Sequence, residues 1–338
     1  MNILIRMPNW IGDLVMATPL IRDLRRHFPS ASLTAMARRP ICQLLEKDPH
    51  IDELFSFEKP PRTLLRRDEK RSVIAKLRGG KFEIGVLTPN SFSSAWWFWQ
   101  GGVRRRIGFS GGWRRWLLTD PIPMPPRGSE HQVELYKRLL APLGIAGSKT
   151  LPYLVLDGQD RAEAQELLRQ RGYQKGTPLI GINPGAAYGS AKCWLPERFR
   201  SLAEQLLSEG NDLVFFGDTA TAPLVKEICR NLPQRAMDLS GATSLRELMA
   251  AIELCDLLVT NDSGPMHIAA ALGVPVVALF GSTDDRATGP YGQAEGVIHK
   301  RPRCSPCFQR KCPIDFRCMK EITVEEVVKK VRERHRIV

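Results

Sequence analysis

LLVTNDSGPMHIAAALGVPVVALFG, residues Leu257–Gly281, is the run on which the fold of this chain turns. Leu257–Thr260 and Val274–Phe280 are strand-length apolar runs, and the second follows a Gly273-Val-Pro helix stop directly. Between them lie a polar loop, Asn261–Gly264, and a helix over about Pro265–Leu272. Strand, loop, helix and strand in this order make a βαβ unit of a parallel sheet. Open α/β sheets place ligands where a strand's carboxyl end meets a helix start, and the unpaired N–H groups there favour anions. Asp262, Ser263, Gly264 and His267 stand at that spot, with His267 about one turn into the helix. Asp262 or Ser263 could simply cap the helix; the whole run, with a histidine inside the helix, reads better as a site.

A chain of 338 residues is long enough for two domains, each with its own core. Hydrophobic residues make up 43% and charged residues 25%, the proportions of a soluble globular protein. No apolar run reaches the ~20 residues that span a bilayer, and Met1-Asn-Ile-Leu-Ile leads straight into a strand. The expectation is a cytoplasmic protein without a signal peptide. The net charge of +13 favours an anionic partner: nucleic acid, an anionic membrane face or a phosphorylated substrate. Much of it falls in Arg62–Lys81 and Arg104–Arg115, which can equally be solvated surface. No zinc-finger, helix-turn-helix or RNA-recognition signature accompanies it, so no nucleic-acid partner is expected.

The chain opens with strand Asn2–Met7, the loop Pro8-Asn-Trp-Ile-Gly-Asp13, an amphipathic helix Leu14–Phe28 and strand Ala31–Ala37. The loop has no G-x-G-x-x-G, which argues against a dinucleotide site. Asp13 at the helix start could be a cap. A strand near Leu54–Phe57, an amphipathic helix Leu64–Leu77 and a strand Ile84–Leu87 follow, the last running into Thr88-Pro-Asn-Ser-Phe-Ser-Ser94. Trp96, Trp97 and Trp99 beside Arg104–Arg106 suit a lipid interface or a sugar face, against the alternative that they pack a helix into the core. Gly111–Trp116 reads as a surface loop, Glu130–Leu143 as a helix and Gly144–Gln159 as the interdomain linker.

The second lobe begins with helix Asp160–Gly172 and strand Leu179–Asn183, whose loop carries Tyr188, Ser190 and Lys192. A glycine-containing loop with a lysine after a strand suits a diphosphate, although its spacing is not that of a P-loop. Strand Asp212–Phe216 ends at Gly217-Asp218, and Ser244 with Glu247 forms a capping-box pair. Cys304, Cys307, Cys312 and Cys318 crowd into fifteen residues near a final amphipathic helix, Val324–Arg334. Their C-x2-C half suits a structural zinc knuckle; x4 and x5 are not standard spacings, and reduced thiols or oxidation-dependent disulfides are the alternatives.

DSGPMHIAAALGVPVVALFG closely resembles the carboxyl-lobe signature of the ADP-heptose:lipopolysaccharide heptosyltransferases, glycosyltransferase family 9. Ile3-Leu-Ile-Arg-Met-Pro-Asn-Trp-Ile-Gly-Asp13-Leu-Val-Met-Ala-Thr-Pro19 is similar to the amino-terminal part of that family. Leu87–Ser94 looks more like the members that add the second inner-core heptose than those that add the first. The resemblance implies a GT-B fold: two doubly wound Rossmann-like lobes facing each other across a cleft, residues 1–155 binding acceptor and 156–338 binding ADP-sugar. It implies inverting transfer of L-glycero-D-manno-heptose from ADP-heptose onto heptosyl-Kdo2-lipid A, with no cofactor needed for catalysis. The place implied is peripheral, at the cytosolic face of the inner membrane. Alternatives are another enzyme of the same fold (first heptosyltransferase, other ADP-sugar transferase, nucleotide-sugar epimerase) or a noncatalytic ADP-sugar-binding protein.

Residue by residue, Asp13 matches the family's proposed general base. Lys192 matches the lysine near the donor diphosphate, Asp262 the aspartate of the heptose hydroxyls, and Ser263, Gly264 and His267 the phosphate cradle. Tyr188, Ser190, Asp218 and Thr243 complete the expected donor set. Ala187 and Tyr188 stand where the first heptosyltransferase has hydroxyl side chains, so backbone N–H groups or Ser190 would serve the diphosphate here. An anionic lipid acceptor would meet Arg62, Arg66, Arg67 and Arg104, with Asn9, Asn90 and Ser91 from the strand-end loops. The cysteine cluster is not part of the family's catalytic pattern.

Overall fold

The computed structural model describes residues 1–58 and 65–335. The chain divides into two compact units, Met1–Val155 and Leu156–Val338. In the first, β1 (Asn2–Arg6), β2 (Ser32–Arg38), β3 (Glu53–Phe57), β4 (Ile84–Leu87), β5 (Arg105–Phe109) and β6 (Asp120–Ile122) form one parallel sheet in the order 3-2-1-4-5-6. The second repeats the plan with β7 (Leu179–Asn183), β8 (Asp212–Phe215), β9 (Ala236–Asp238), β10 (Leu257–Asn261), β11 (Val276–Phe280) and β12 (Val297–His299), in the order 12-11-10-7-8-9. Central strands with helices on both faces must be apolar throughout, and every residue of β4, β7, β10 and β11 except the polar strand ends is an apolar or small one buried from water.

In each sheet the strand order reverses at one place, between β1 and β4 and between β7 and β10. The loops that leave those four strand ends diverge to opposite faces and open a crevice, the usual ligand site of a doubly wound sheet. The chain thus carries two such crevices, one per unit.

Several elements differ from the sequence reading for identifiable reasons. The first helix spans Ile11–His27, so Asp13 lies inside its first turn; Trp10 takes the N-cap position without a side-chain bond. The second unit's opening helix is Gly158–Gln170 because Asp157 and Asp160 form a capping box there. Glu130–Leu143 is a helix only over Gln132–Lys137, continuing as a 3-10 helix Arg138–Leu143 that contains Pro142. Gly112–Leu117, expected as loop, is a 3-10 helix. The expected linker is tied down up to Tyr153: its hydroxyl donates to Asp48 at 2.8 Å and its N–H to Thr18 at 3.0 Å, while Thr150 donates to Asp23. The capping box of Ser244 and Glu247 is present, with both reciprocal bonds formed. The final helix, Val324–His335, buries Val327, Val328 and Val331 against helix Pro196–Ser208 and the sheet at β10 and β11. Fully burying one such side chain is worth roughly 1.5–3 kcal/mol.

Candidate functional site

In the second unit the chemistry gathers at the β7/β10 crevice. β10 ends at Asn261, a fully buried side chain that staples the neighbouring loop: its Oδ1 accepts the Trp194 N–H at 2.9 Å and its Nδ2 donates to the Pro184 carbonyl at 2.6 Å. Asn183, at the end of β7, donates to Ser263 Oγ at 3.0 Å and to Thr260 Oγ1 at 3.1 Å. Two strand-end asparagines therefore lace the lysine loop to the loop that opens helix Gly264–Ala271.

Within this frame Lys192 Nζ sits 2.5 Å from Asp262 Oδ2, and the carboxylate also accepts the Thr283 hydroxyl at 2.6 Å. The side chains are 14% and 5% exposed, so the pair is largely removed from water. Asp262 is therefore not a helix cap. Nor does Ser263 cap by its side chain, although it holds the N-cap position; its hydroxyl is engaged with Asn183 and Thr260. The helix start thus carries no side-chain cap, and the positive end of its dipole suits an anion. His267 is buried within the helix's first turn. Tyr188 lies under the lysine, its ring centroid 4.9 Å from Lys192 Nζ, and Ser190 opens the short 3-10 turn that carries Lys192. Asp218 and Thr243 belong to the adjoining loops after β8 and β9. The Asp218 carboxylate accepts from both N and Oγ1 of Thr221, and the Gly241 N–H bonds to Gly217 O at 2.8 Å, joining the two loops.

In the first unit Asp13 occupies the corresponding crevice, beyond β1. The Tyr136 hydroxyl, from helix Gln132–Lys137, is hydrogen-bonded to it; burial, and then the Asp13 charge, hold the phenol pKa well above its ordinary value. That bond orients the carboxylate. Asn9 accepts from Arg6 Nη2 at 2.6 Å, and Arg6 itself is buried at the end of β1 over the Phe57 ring. Burial and the nearby Arg38 charge lower its pKa to about 9. Asn90 and Ser91 lie beyond β4, at the same edge; Ser91 accepts the Ser94 N–H and caps helix Phe92–Gln100.

Not every expected residue joins these groups. Arg104 precedes β5 and lies beside Phe82, to whose carbonyl its N–H donates, at the amino edge of the sheet, opposite Asn9 and Asn90. Parallel strands put their two ends on opposite rims, so a basic residue just before a strand cannot serve the carboxyl-end crevice. Arg62 lies outside the described residues, as do the side chains of Arg66 and Arg67. Tryptophans 96 and 97 are half-buried and Trp99 is exposed, so that helix is only partly a core element.

The cysteine segment closes over the lysine loop. The Phe308 carbonyl accepts the Tyr188 hydroxyl at 2.8 Å, the Arg310 carbonyl accepts the Ala191 N–H at 3.0 Å, and the Phe308 N–H donates to Ser282 O at 2.7 Å. Gly189, at φ +154°, lets this happen, since a Cβ there would meet Arg310 O at 2.3 Å. Cys304, Cys307, Cys312 and Cys318 line one pocket of about 180 Å³ and are all free thiols. Burial, then the other three cysteines, push the Cys318 thiol up to about 11. Among the described residues no three His, Cys, Asp or Glu side chains are arranged to hold a metal ion, so the four thiols do not form a ready ligand set.

Sequence reading missed Asn183, Asn261, Thr283, Tyr136 and Arg6. The first two and Arg6 carry a usable signal, a polar residue ending a buried apolar strand. Thr283 and Tyr136 carry none, because tertiary packing alone brings them to Asp262 and Asp13.

Comparison with known proteins agrees with this geometry. The sequence model of glycosyltransferase family 9 (heptosyltransferase) matches residues 70–316. The chain is 33% identical over 306 residues to lipopolysaccharide heptosyltransferase 2 of Escherichia coli K12, covering 88% of each. The solved structure of E. coli ADP-heptose lps heptosyltransferase II matches with TM-score 0.85 and 28% identity over 100% of this chain and 99% of that one. A family 9 glycosyl transferase of Veillonella parvula DSM 2008 matches with TM-score 0.87 and 26% identity over 100% and 97%. The two doubly wound units are of the GT-B type.

Proposed function

The chain belongs to glycosyltransferase family 9, and from that premise we propose that it is an inverting heptosyltransferase. It moves L-glycero-D-manno-heptose from ADP-heptose onto heptosyl-Kdo2-lipid A, in lipopolysaccharide inner-core assembly. The observation that carries the reading is the Lys192–Asp262 pair, set between the lysine loop and an open helix start at the second unit's crevice. A cation beside the positive end of a helix suits the leaving diphosphate, and a carboxylate beside it suits sugar hydroxyls.

In this reading Asp13 takes the proton of the acceptor hydroxyl as that oxygen attacks the anomeric carbon. The bond from that carbon to the diphosphate breaks, and its electron pair leaves with ADP. Lys192 and the first N–H groups of helix Gly264–Ala271 stabilise the charge that develops there. One base on the face opposite the leaving group is enough for inversion. Tyr136 is a positioning residue, holding the Asp13 carboxylate in place. Residues 1–155 bind acceptor and residues 156–338 bind donor, with Ser190, Tyr188, His267, Asp218 and Thr243 around the nucleotide sugar and Asn9, Asn90 and Ser91 toward the acceptor. No metal takes part in transfer. Zinc on the four cysteines is a structural proposal that requires their segment to tighten; about one zinc per chain after purification in reducing buffer supports it, and zinc-free folded protein rejects it.

The enzyme works at the cytosolic face of the inner membrane, where its lipid acceptor is anchored. The test is ADP release from ADP-L-glycero-β-D-manno-heptose, with and without heptosyl-Kdo2-lipid A, in EDTA. Release that depends on acceptor is expected. Equal release without acceptor, or none with it, overturns the reading.

A further inference from the structure

Away from Asp13, the first unit presents an open groove of about 800 Å³ lined by Asn90, Phe92, Trp113, Arg114, Trp116 and Leu117. Helix Phe92–Gln100 packs against the 3-10 helix Gly112–Leu117 to form it, beyond the carboxyl ends of β4 and β5. Trp113 is 81% exposed, Trp116 79% and Phe92 51%. Large aromatic rings held this far out in water lose hydrophobic free energy in the free protein, and a contiguous apolar patch of this kind marks a surface that meets something else. A pocket for one enclosed ligand would cover its rings. These stand out of the surface, as the rings of interfacial anchors do.

The floor of the groove carries charge. Arg114 is 3% exposed and donates through Nη1 to the Pro89 carbonyl at 2.5 Å, while its buried Nε and Nη2 have no hydrogen-bond partner. Gly108 makes room for it, since a Cβ there would meet Nη2 at 2.7 Å. Burial lowers the guanidinium pKa to about 10, which still leaves a cation at neutral pH. A buried cation with unmet donors is costly unless an anion completes it. Its neighbour Arg115 is exposed on the same short helix, and the chain as a whole carries +13.

We propose that this groove is the surface by which the chain docks on an anionic phospholipid bilayer, with a headgroup phosphate at Arg114 and Phe92, Trp113 and Trp116 at the boundary between headgroups and acyl chains. The proposal rests on the transferase reading, whose acceptor is itself a membrane lipid, and it names the surface that meets the membrane. Asn90 lines both the groove and the acceptor edge of the sheet, so docking there brings that edge to the bilayer surface.

The test is co-sedimentation of the full chain, without donor or acceptor, with phosphatidylglycerol/phosphatidylethanolamine vesicles and with phosphatidylcholine vesicles. Quenching of tryptophan emission by brominated acyl chains gives the depth. The wild-type chain is expected to bind the anionic vesicles and to be quenched. Removing two rings of this size in W113A/W116A should weaken partitioning about tenfold or more. Both positions are exposed, so the variant keeps its fold, which a thermal scan verifies. R114Q, where it folds, should lose the preference for anionic over zwitterionic vesicles. Partitioning of W113A/W116A within about twofold of wild type overturns the proposal. So does normal vesicle binding by that variant with a raised KM for detergent-dispersed acceptor, which would make the groove an acceptor-sugar cradle. Because docking is read without substrates, a chain that docks but never transfers refutes the transferase reading alone, and an active chain whose variant docks normally refutes this one alone.

Discussion

Replacing Lys192 by Met isolates the central ion pair. Its Nζ and Asp262 Oδ2 are 2.5 Å apart with little solvent around them. At an effective dielectric of about 20 the gross attraction at that distance is about 7 kcal/mol, most of it offset by the cost of taking both charges out of water. What an experiment reads is the penalty for stranding one partner, about 3–5 kcal/mol for a buried pair. K192M belongs at the upper end, because it strands a buried carboxylate that keeps the Thr283 hydroxyl but no cation at that oxygen. D262N belongs at the lower end, because the freed ammonium is less buried and stays over the Tyr188 ring. In K192M/D262N neither charge remains, so the losses should be less than additive by about 1–3 kcal/mol. Urea unfolding of the full chain, followed by far-UV circular dichroism, measures all three; isothermal titration with ADP should show that both variants lacking the lysine bind more weakly than D262N. Equal stability of K192M and wild type, within about 0.5 kcal/mol, would refute the claim that the pair is a buried one.

Asp13→Asn keeps the Tyr136 contact geometry but removes the base, and should lower kcat by about 10²–10⁴-fold with ADP affinity unchanged; near-wild-type kcat in a stopped assay rejects Asp13 as the base. Gly189→Ala forces a methyl group into the Arg310 carbonyl and an unfavourable backbone region, so it should cost about 1–3 kcal/mol and free the lysine loop, seen as faster amide exchange over residues 184–193. Unchanged exchange there argues that the cysteine segment does not hold the loop. Asp120 is kept below the usual carboxylate range by its hydrogen bonds from Arg105. The stability this adds is present above about pH 4, the unfolded value, and is lost as pH falls through the lower folded one. Wild type and D120N should therefore differ in unfolding midpoint at pH 6 and converge in strong acid; a gap that persists there rejects the linkage.

The parts of the fold that were legible are those where one physical demand dominates. β1, β4, β7, β10 and β11 are buried on both faces, and such strands read as apolar runs whatever surrounds them. β5 begins Arg105-Arg106, so its first half looks like part of a basic cluster, although Arg105 binds Asp120 and Arg106 bonds backbone carbonyls. β6, β9 and β12 are three residues long, too short for a period to show. Within the site, Asp13, Lys192 and Asp262 announce themselves by position after apolar strands. Their partners Tyr136 and Thr283 do not, since each comes from an element whose own pattern is complete without them. Arg114 was hidden more thoroughly: an arginine between other basic residues reads as surface, and only its packing over Gly108 reveals a buried cation.

The clasp of residues 308–310 over residues 188–191 also orders events in time. The lysine loop follows β7, but the carbonyls that fix it belong to a segment made more than a hundred residues later. Domains assemble as they leave the ribosome, amino-terminal parts first. The first unit can therefore be complete while the second still lacks the outer wall of its crevice, and a nascent or prematurely terminated chain carries Lys192 without the grip that holds its loop. Translation itself makes the crevice beyond β7 one of the last parts of the molecule to be finished, with helix Val324–His335 still to follow.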